Sequence, residues 1–116
     1  MFVEVKPERY RSETRSVRLG GHATSIRLEA AFWSTLEEIA AVQGLSLGRF
    51  LSKLHDEILD FEGEVTNFTS LLRCACLTYI SEVNQQPGFA QNLAREAARD
   101  FQLVESAAPL RKLAAR

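Results

Sequence analysis

The hydrophobic period of this chain changes once, sharply, and that change limits what it can fold into. From Ser16 to Leu28 the apolar or small residues fall at every second position, at Val17, Leu19, Thr24, Ile26 and Leu28, with Arg18, Ser25 and Arg27 between them. A repeat of two is the signature of a strand with one buried face. Gly20-Gly21 divides the alternation into halves and suits a two-residue hairpin loop, because glycine accepts the positive φ that such loops demand. With that loop, Leu19 faces His22 and Val17 faces Thr24. Val17, Leu19, Thr24 and Ile26 then share one face, and Ser16, Arg18, Ala23, Ser25 and Arg27 the other. An irregular arm followed by a single strand fits the same pattern. One or two strands do not make a stable sheet alone in water, so the strand needs a partner, and a second copy of the chain is the simplest candidate.

At Glu29 the repeat becomes 3.6. Phe32, Trp33, Leu36, Ile39 and Ala40 form one stripe, and Gly44 follows it as a stop. Ser46 is a good N-cap for a second helix carrying Leu47, Phe50, Leu51, Leu54 and Ile58 on its apolar side, ended by Gly63. A third helix starts near Thr66 or Asn67, with Phe68, Leu71, Leu72, Ala75, Tyr79 and Ile80 expected inside, and Pro87-Gly88 closes it. Phe89, Leu93, Ala97, Phe101 and Val104 space a fourth amphipathic helix, and a short basic end follows Pro109. The pattern divides the chain into a basic arm at 1–14, a strand-helix-helix core at 15–62, a third helix at 63–87, and a C-terminal helix and tail at 88–116. The fold class is mainly α with a short N-terminal β-ribbon or hairpin.

Composition narrows the function by exclusion. No run approaches the roughly 18 apolar residues of a membrane span, and no apolar signal region follows the charged N-terminus. The expectation is a cytoplasmic protein with no membrane partner. The formal charge of -1 on 116 residues at first argues against nucleic acid, whose binders are usually basic. The total conceals a partition. Residues 1–28 carry six basic against three acidic residues, residues 29–87 three against nine, and residues 88–116 five against three. The basic excess lies in and before the strand, the acidic excess on the helices behind it.

Catalysis has little to build on. His22 and His55 are far apart and in no metal-ligand spacing, and no Ser-His-Asp, Cys-His or phosphate-loop grouping occurs. Cys74 and Cys76 lie about 200° apart on a helix, which suits neither a shared metal nor a disulfide, and two buried thiols are expected. Neither an enzyme nor a cofactor is expected.

The stretch Thr24-Ser25-Ile26-Arg27-Leu28-Glu29, a helix of about four turns, Gly44, then Ser46-Leu47-Gly48-Arg49-Phe50-Leu51 resembles the ribbon-helix-helix repressors of the Arc and MetJ type. The wider run from Arg15 to Trp33 is similar to a subgroup of small bacterial ribbon-helix-helix proteins, and the likeness spans roughly residues 15–80. It implies an intertwined homodimer, or a higher oligomer, in which an antiparallel ribbon enters the major groove of double-stranded DNA. Carried across, the base-reading residues are Ala23, Ser25 and Arg27, with Arg18 as a further reader; Ala23 departs from the longer polar residues common there. Arg27 is the strongest candidate, since its guanidinium matches guanine O6 and N7. Phosphate contacts fall to Ser46, Leu47, Gly48 and Arg49 at the start of the second helix, where unpaired N–H groups and the helix dipole attract anions. Arg11 and Arg15 of the arm, with Lys6 and Arg9, are expected along the backbone or in the minor groove. The function implied is that of a repressor-like transcriptional regulator. The alternative is an antitoxin or adaptor that binds a protein partner through residues 89–104.

Overall fold

The structure, a computed structural model, describes residues 4–105. A short helix α1 (Pro7–Tyr10) leads into β1 (Ser12–Leu19) and β2 (His22–Glu29), followed by α2 (Ala30–Val42), α3 (Leu47–Glu62), α4 (Phe68–Gln85) and α5 (Phe89–Glu105). The hairpin alternative is the one adopted. β1 and β2 pair antiparallel from Ser12↔Glu29 to Leu19↔His22, and both turn residues have positive φ, 57° at Gly20 and 84° at Gly21. This is the requirement of a type I′ turn, whose twist matches that of the strands it joins. The partner strand expected from a second copy is thus supplied by the chain itself. β1 also begins inside the segment expected to be an arm, so Ser12, Glu13 and Thr14 are ribbon residues.

Alternation decides which side of the hairpin is covered. Leu19, Ile26 and Leu28 are buried, Val17 and Thr24 half-buried, and the side chains between them exposed. The covered side rests on α2, whose Trp33, Leu36, Ile39 and Ala40 are buried, and on α3 through Phe50 and Leu51. α4 adds Leu72, Cys76 and Tyr79 to the same core. Phe89 and Leu93 of α5 pack against its margin, with the Phe89 ring edge-on to Tyr79 at 6.1 Å.

Two bonds seat the hairpin on α2. The Trp33 indole Nε1 donates to the Glu13 carbonyl at 2.9 Å, and the Ala30 amide donates to the Arg11 carbonyl at 2.8 Å. The second satisfies one of the N–H groups that open a helix, which matters because Glu29 at the N-cap makes no side-chain cap bond. Trp33 is a core residue, as its place on the stripe predicts, and it is fully buried.

The third long helix, α4, takes one of its two expected starts and departs from expectation in the burial of two residues. Asn67, not Thr66, occupies the N-cap position, with a left-handed backbone (φ 52°) and no capping side-chain bond. Ile80, expected inside, is 43% exposed, because α4 presents Leu72, Cys76 and Tyr79 to the core and Ile80 lies outside that arc. Cys74 is exposed and only Cys76 is buried, since residues two apart on a helix take different faces. The Cys76 thiol lies 3.6 Å from the Phe32 carbonyl, and burial pushes its pKa from 9.0 to about 11.

Two outcomes follow from this packing. Trp33→Phe keeps a large ring but loses the indole N–H donated to the Glu13 carbonyl, and should cost about 1 kcal/mol of unfolding free energy in urea titration. The Cys76 thiol stays neutral in the folded chain up to about pH 11, whereas an unfolded thiol ionises near 9. Its contribution to stability is therefore complete below pH 9 and is lost as pH rises toward 11. Cys76→Val should flatten the stability curve in that window, measured by denaturant midpoint against pH.

Candidate nucleic-acid interface

The uncovered side of the hairpin is a two-column array set by the strand register. Thr14 stands opposite Arg27, Ser16 opposite Ser25, and Arg18 opposite Ala23, and all six are exposed. The array holds two cations and three hydroxyls with no carboxylate among them. Glu29 ends the outward row on β2, and its carboxylate accepts from the Arg73 guanidinium Nε at 3.1 Å. Its own backbone N–H first, and Arg73 second, hold that carboxyl below its ordinary pKa. The Arg18 guanidinium donates to the Gly21 carbonyl at 2.9 Å, which folds it across the turn. Arg27 extends from the middle of β2 into solvent.

The candidate base readers Ala23, Ser25, Arg27 and Arg18 therefore share one exposed face. Thr14 and Ser16 join them there. Thr14 is missing from the sequence-based set because it falls before the visible alternation, among residues assigned to the arm. The signal that finds it is the hairpin itself: with Gly20-Gly21 as loop, counting back from Arg27 gives Thr14.

Arg15 is a correction. It occupies an inward position, opposite Ile26, and its guanidinium bonds Glu37 at 2.8 Å and Glu13 at 3.2 Å while lying 4.8 Å from the Trp33 ring centroid. The Glu37 bond is the main reason its pKa is held above the usual arginine value. A guanidinium committed to two carboxylates and an indole on the helix side of the sheet is not placed to meet phosphate. Arg11 is exposed and joins α1 to β1. Lys6 is the N-cap of α1 and Arg9 lies in its last turn, both exposed; residues 1–3 of the arm lie outside the described residues.

The start of α3 matches its sequence signature. Ser46 is the N-cap, and its hydroxyl accepts from the Arg49 amide at 3.2 Å. That bond takes one of the three N–H groups assigned to phosphate and leaves those of Leu47 and Gly48. Leu47 turns its side chain into the core margin, whereas Gly48 and Arg49 are exposed. A Cβ built at Gly48 would meet nothing within 4 Å. Close packing against a neighbouring helix in this chain is therefore not the reason for the glycine.

A concavity of about 470 Å³ opens beneath the hairpin tip between Leu19, Ile26, His55, Leu59 and Phe68. His55 is half-buried there, edge-on to Phe68 at 5.5 Å. No cluster of three or more potential metal ligands occurs among the described residues, and no described helix is long and apolar enough to cross a membrane. On α5, Phe89 and Leu93 are spent on the chain's own core, which removes the first half of the stripe from the expected protein-binding helix. The side chains of Phe101 and Val104, and the tail after Pro109, lie outside the described residues.

The comparisons with known proteins agree with this architecture. A family model described as a ribbon-helix-helix domain matches residues 12–80, more than half of the chain and with β1 included. The chain belongs to the ribbon-helix-helix family. It is also similar to a solved structure, that of an uncharacterized protein from Bordetella pertussis Tohama I. Sequence identity is 35% and the TM-score 0.70, over 96% of this chain and 78% of that one. No curated protein matches.

The helix start yields opposite effects for neighbouring positions. Ser46→Ala removes the cap bond and should cost about 1 kcal/mol of stability, while Gly48→Ala, which meets no neighbour, should gain about 0.5–1 kcal/mol from helix propensity. Thermal and urea unfolding of the two variants side by side measures both.

Proposed function

We propose that this protein binds double-stranded DNA sequence-specifically, with the outward face of its hairpin in the major groove, and acts as a repressor-like transcriptional regulator. One observation carries the reading. The face of the hairpin that is free of the helices is a patch of arginine and hydroxyl side chains at strand spacing, with no carboxylate among its six central residues. A two-stranded ribbon fits the major groove, which is about 12 Å wide and displays a distinct donor and acceptor pattern for each base pair.

Arg27 has the central role. It stands in mid-strand beside Thr14 and Ser25, and its guanidinium fork pairs with guanine O6 and N7. Ser16, Ser25 and Thr14 offer short hydroxyls to either base type, and Ala23 can contact only a thymine methyl. Arg18 reads bases if it releases the Gly21 carbonyl, or remains at the turn and meets the backbone. The amides of Leu47 and Gly48, with the Arg49 side chain, bind a phosphate at the open start of α3. Arg11, Lys6 and Arg9 add backbone contacts. Such a protein acts by occupying a site rather than by chemistry, as is typical of its family.

Selection of bound fragments from random double-stranded DNA tests the reading directly and should return a defined motif. Arg27→Ala should then weaken binding to that motif by about 1–3 kcal/mol in fluorescence anisotropy with an unchanged circular dichroism spectrum. Gly48→Ala and Arg49→Ala should weaken all sequences alike, and Arg49→Ala should also lower the salt dependence. A flat selection at low salt, or an Arg27→Ala variant with unaltered preference, would exclude the ribbon as the reader.

A further inference from the structure

One cation serves the outward face of the hairpin from behind it. Residues 29–87 hold three basic residues against nine acidic. Lys53 pairs with Glu57 on its own helix at 3.9 Å, and Arg49 stands exposed in the first turn of α3. Arg73 is the third. It belongs to α4, whose Leu72, Cys76 and Tyr79 lie in the core on the helix side of the sheet, yet its Nε donates to Glu29, the last residue of the outward row on β2. The guanidinium therefore reaches around the end of the hairpin to the side that the helices leave open.

Stability does not account for the pair. The side chains of Arg73 and Glu29 are 38% and 35% exposed, and an ion pair so wetted adds little. What the pair changes is the charge of the face. Among the eight outward strand residues Glu29 is the one carboxylate, two residues or roughly 7 Å beyond Arg27, where alone it would repel a polyanion. Arg73 cancels it and has donors to spare. A guanidinium carries five N–H groups in a planar fork; Glu29 takes the one on Nε, and Nη1 and Nη2 have no partner among the described residues. That free edge matches two oxygens of a phosphate. Arg11 lies beside it, for its carbonyl accepts from the Ala30 amide, next to Glu29, and the residue is exposed. We infer that Arg73 is a phosphate-binding residue of the DNA interface, held by Glu29 at the root of the hairpin and acting with Arg11 on the backbone beside the bases that Arg27 reads. This contact rests on the DNA-binding reading and extends it to the third long helix. Glu29 is a positioning residue, which aims the guanidinium and has its own charge cancelled by it.

The test measures binding of the selected motif and of an unrelated duplex, by fluorescence anisotropy against salt. It compares the full-length parent with Arg73→Ala, Arg73→Lys, Glu29→Gln and the double variant Glu29→Gln with Arg73→Ala, each checked by circular dichroism. A phosphate contact adds about 0.9 to the slope of log affinity against log salt. Arg73→Ala should therefore weaken both duplexes alike, by roughly eightfold at about 0.1 M salt, and lower the slope by about one. Arg73→Lys keeps the cation and should keep the slope. Glu29→Gln retains an acceptor for Nε and removes a carboxylate, so it should bind at least as tightly as the parent. The double variant separates contact from screening: it should keep the lowered slope of Arg73→Ala, because no guanidinium remains at this position to meet the phosphate. A double variant restored to the parent's affinity and slope would mean that Arg73 only masks Glu29. A loss confined to the motif would mean that it only holds the ribbon, and Arg73→Ala equal to the parent would mean that it meets no DNA; each of the three overturns the inference. Failure of this contact alone leaves a parent with a selected motif, whereas a parent that binds neither duplex at low salt overturns the function proposed above and this contact with it.

Discussion

The hydrogen bond from the Trp33 indole to the Glu13 carbonyl is the contact on which the architecture rests. A two-stranded hairpin is marginal by itself, and this one survives because its first strand is tied to the first long helix, beside the Ala30 to Arg11 bond. The same indole fills the core and lies under the Arg15 guanidinium. One side chain thereby joins sheet, helix and ion pair. With β1 held down, β2 is paired along its whole length, and its alternate residues are fixed facing out.

This arrangement explains which parts of the protein are legible in its sequence. Val17, Leu19, Thr24 and Ile26 declare a strand face by spacing alone, and Gly20-Gly21 declares the turn, so the hairpin's register follows by counting. The helix stripes of α2 and α3 are readable for the same reason. What the pattern does not carry is where a strand begins once its inward residues stop being apolar. Glu13 and Arg15 sit inward in β1, one lending its backbone carbonyl and the other its charge to α2, and neither resembles a core residue. Thr14, between them, is hidden with them. Ile80 and Cys74 escape the pattern for a related reason: α4 is apolar on more than one side, and periodicity cannot choose between two faces that both qualify.

Electrostatics follows the same partition. Of the basic residues before the first long helix, Arg15 is neutralised by Glu37 and Glu13, while Arg18 and Arg27 remain on the outward face. The acidic residues of α2 and α3 lie behind the sheet, where they set the net charge without facing the ribbon's free side. A net charge of -1 therefore describes the molecule poorly at the one surface where its sign would matter, and any affinity there depends on a few placed donors more than on bulk attraction.

Because both strands of the ribbon come from one chain, they are not copies of each other. Thr14, Ser16 and Arg18 run along one strand and Ala23, Ser25 and Arg27 along the other. A ribbon built from two identical strands repeats its message about a central dyad and favours inverted repeats. This hairpin carries a direction. Under the proposed reading, each copy would recognise a non-palindromic element with a defined polarity, and substitutions on one strand would change one side of that element while leaving the other side as it was.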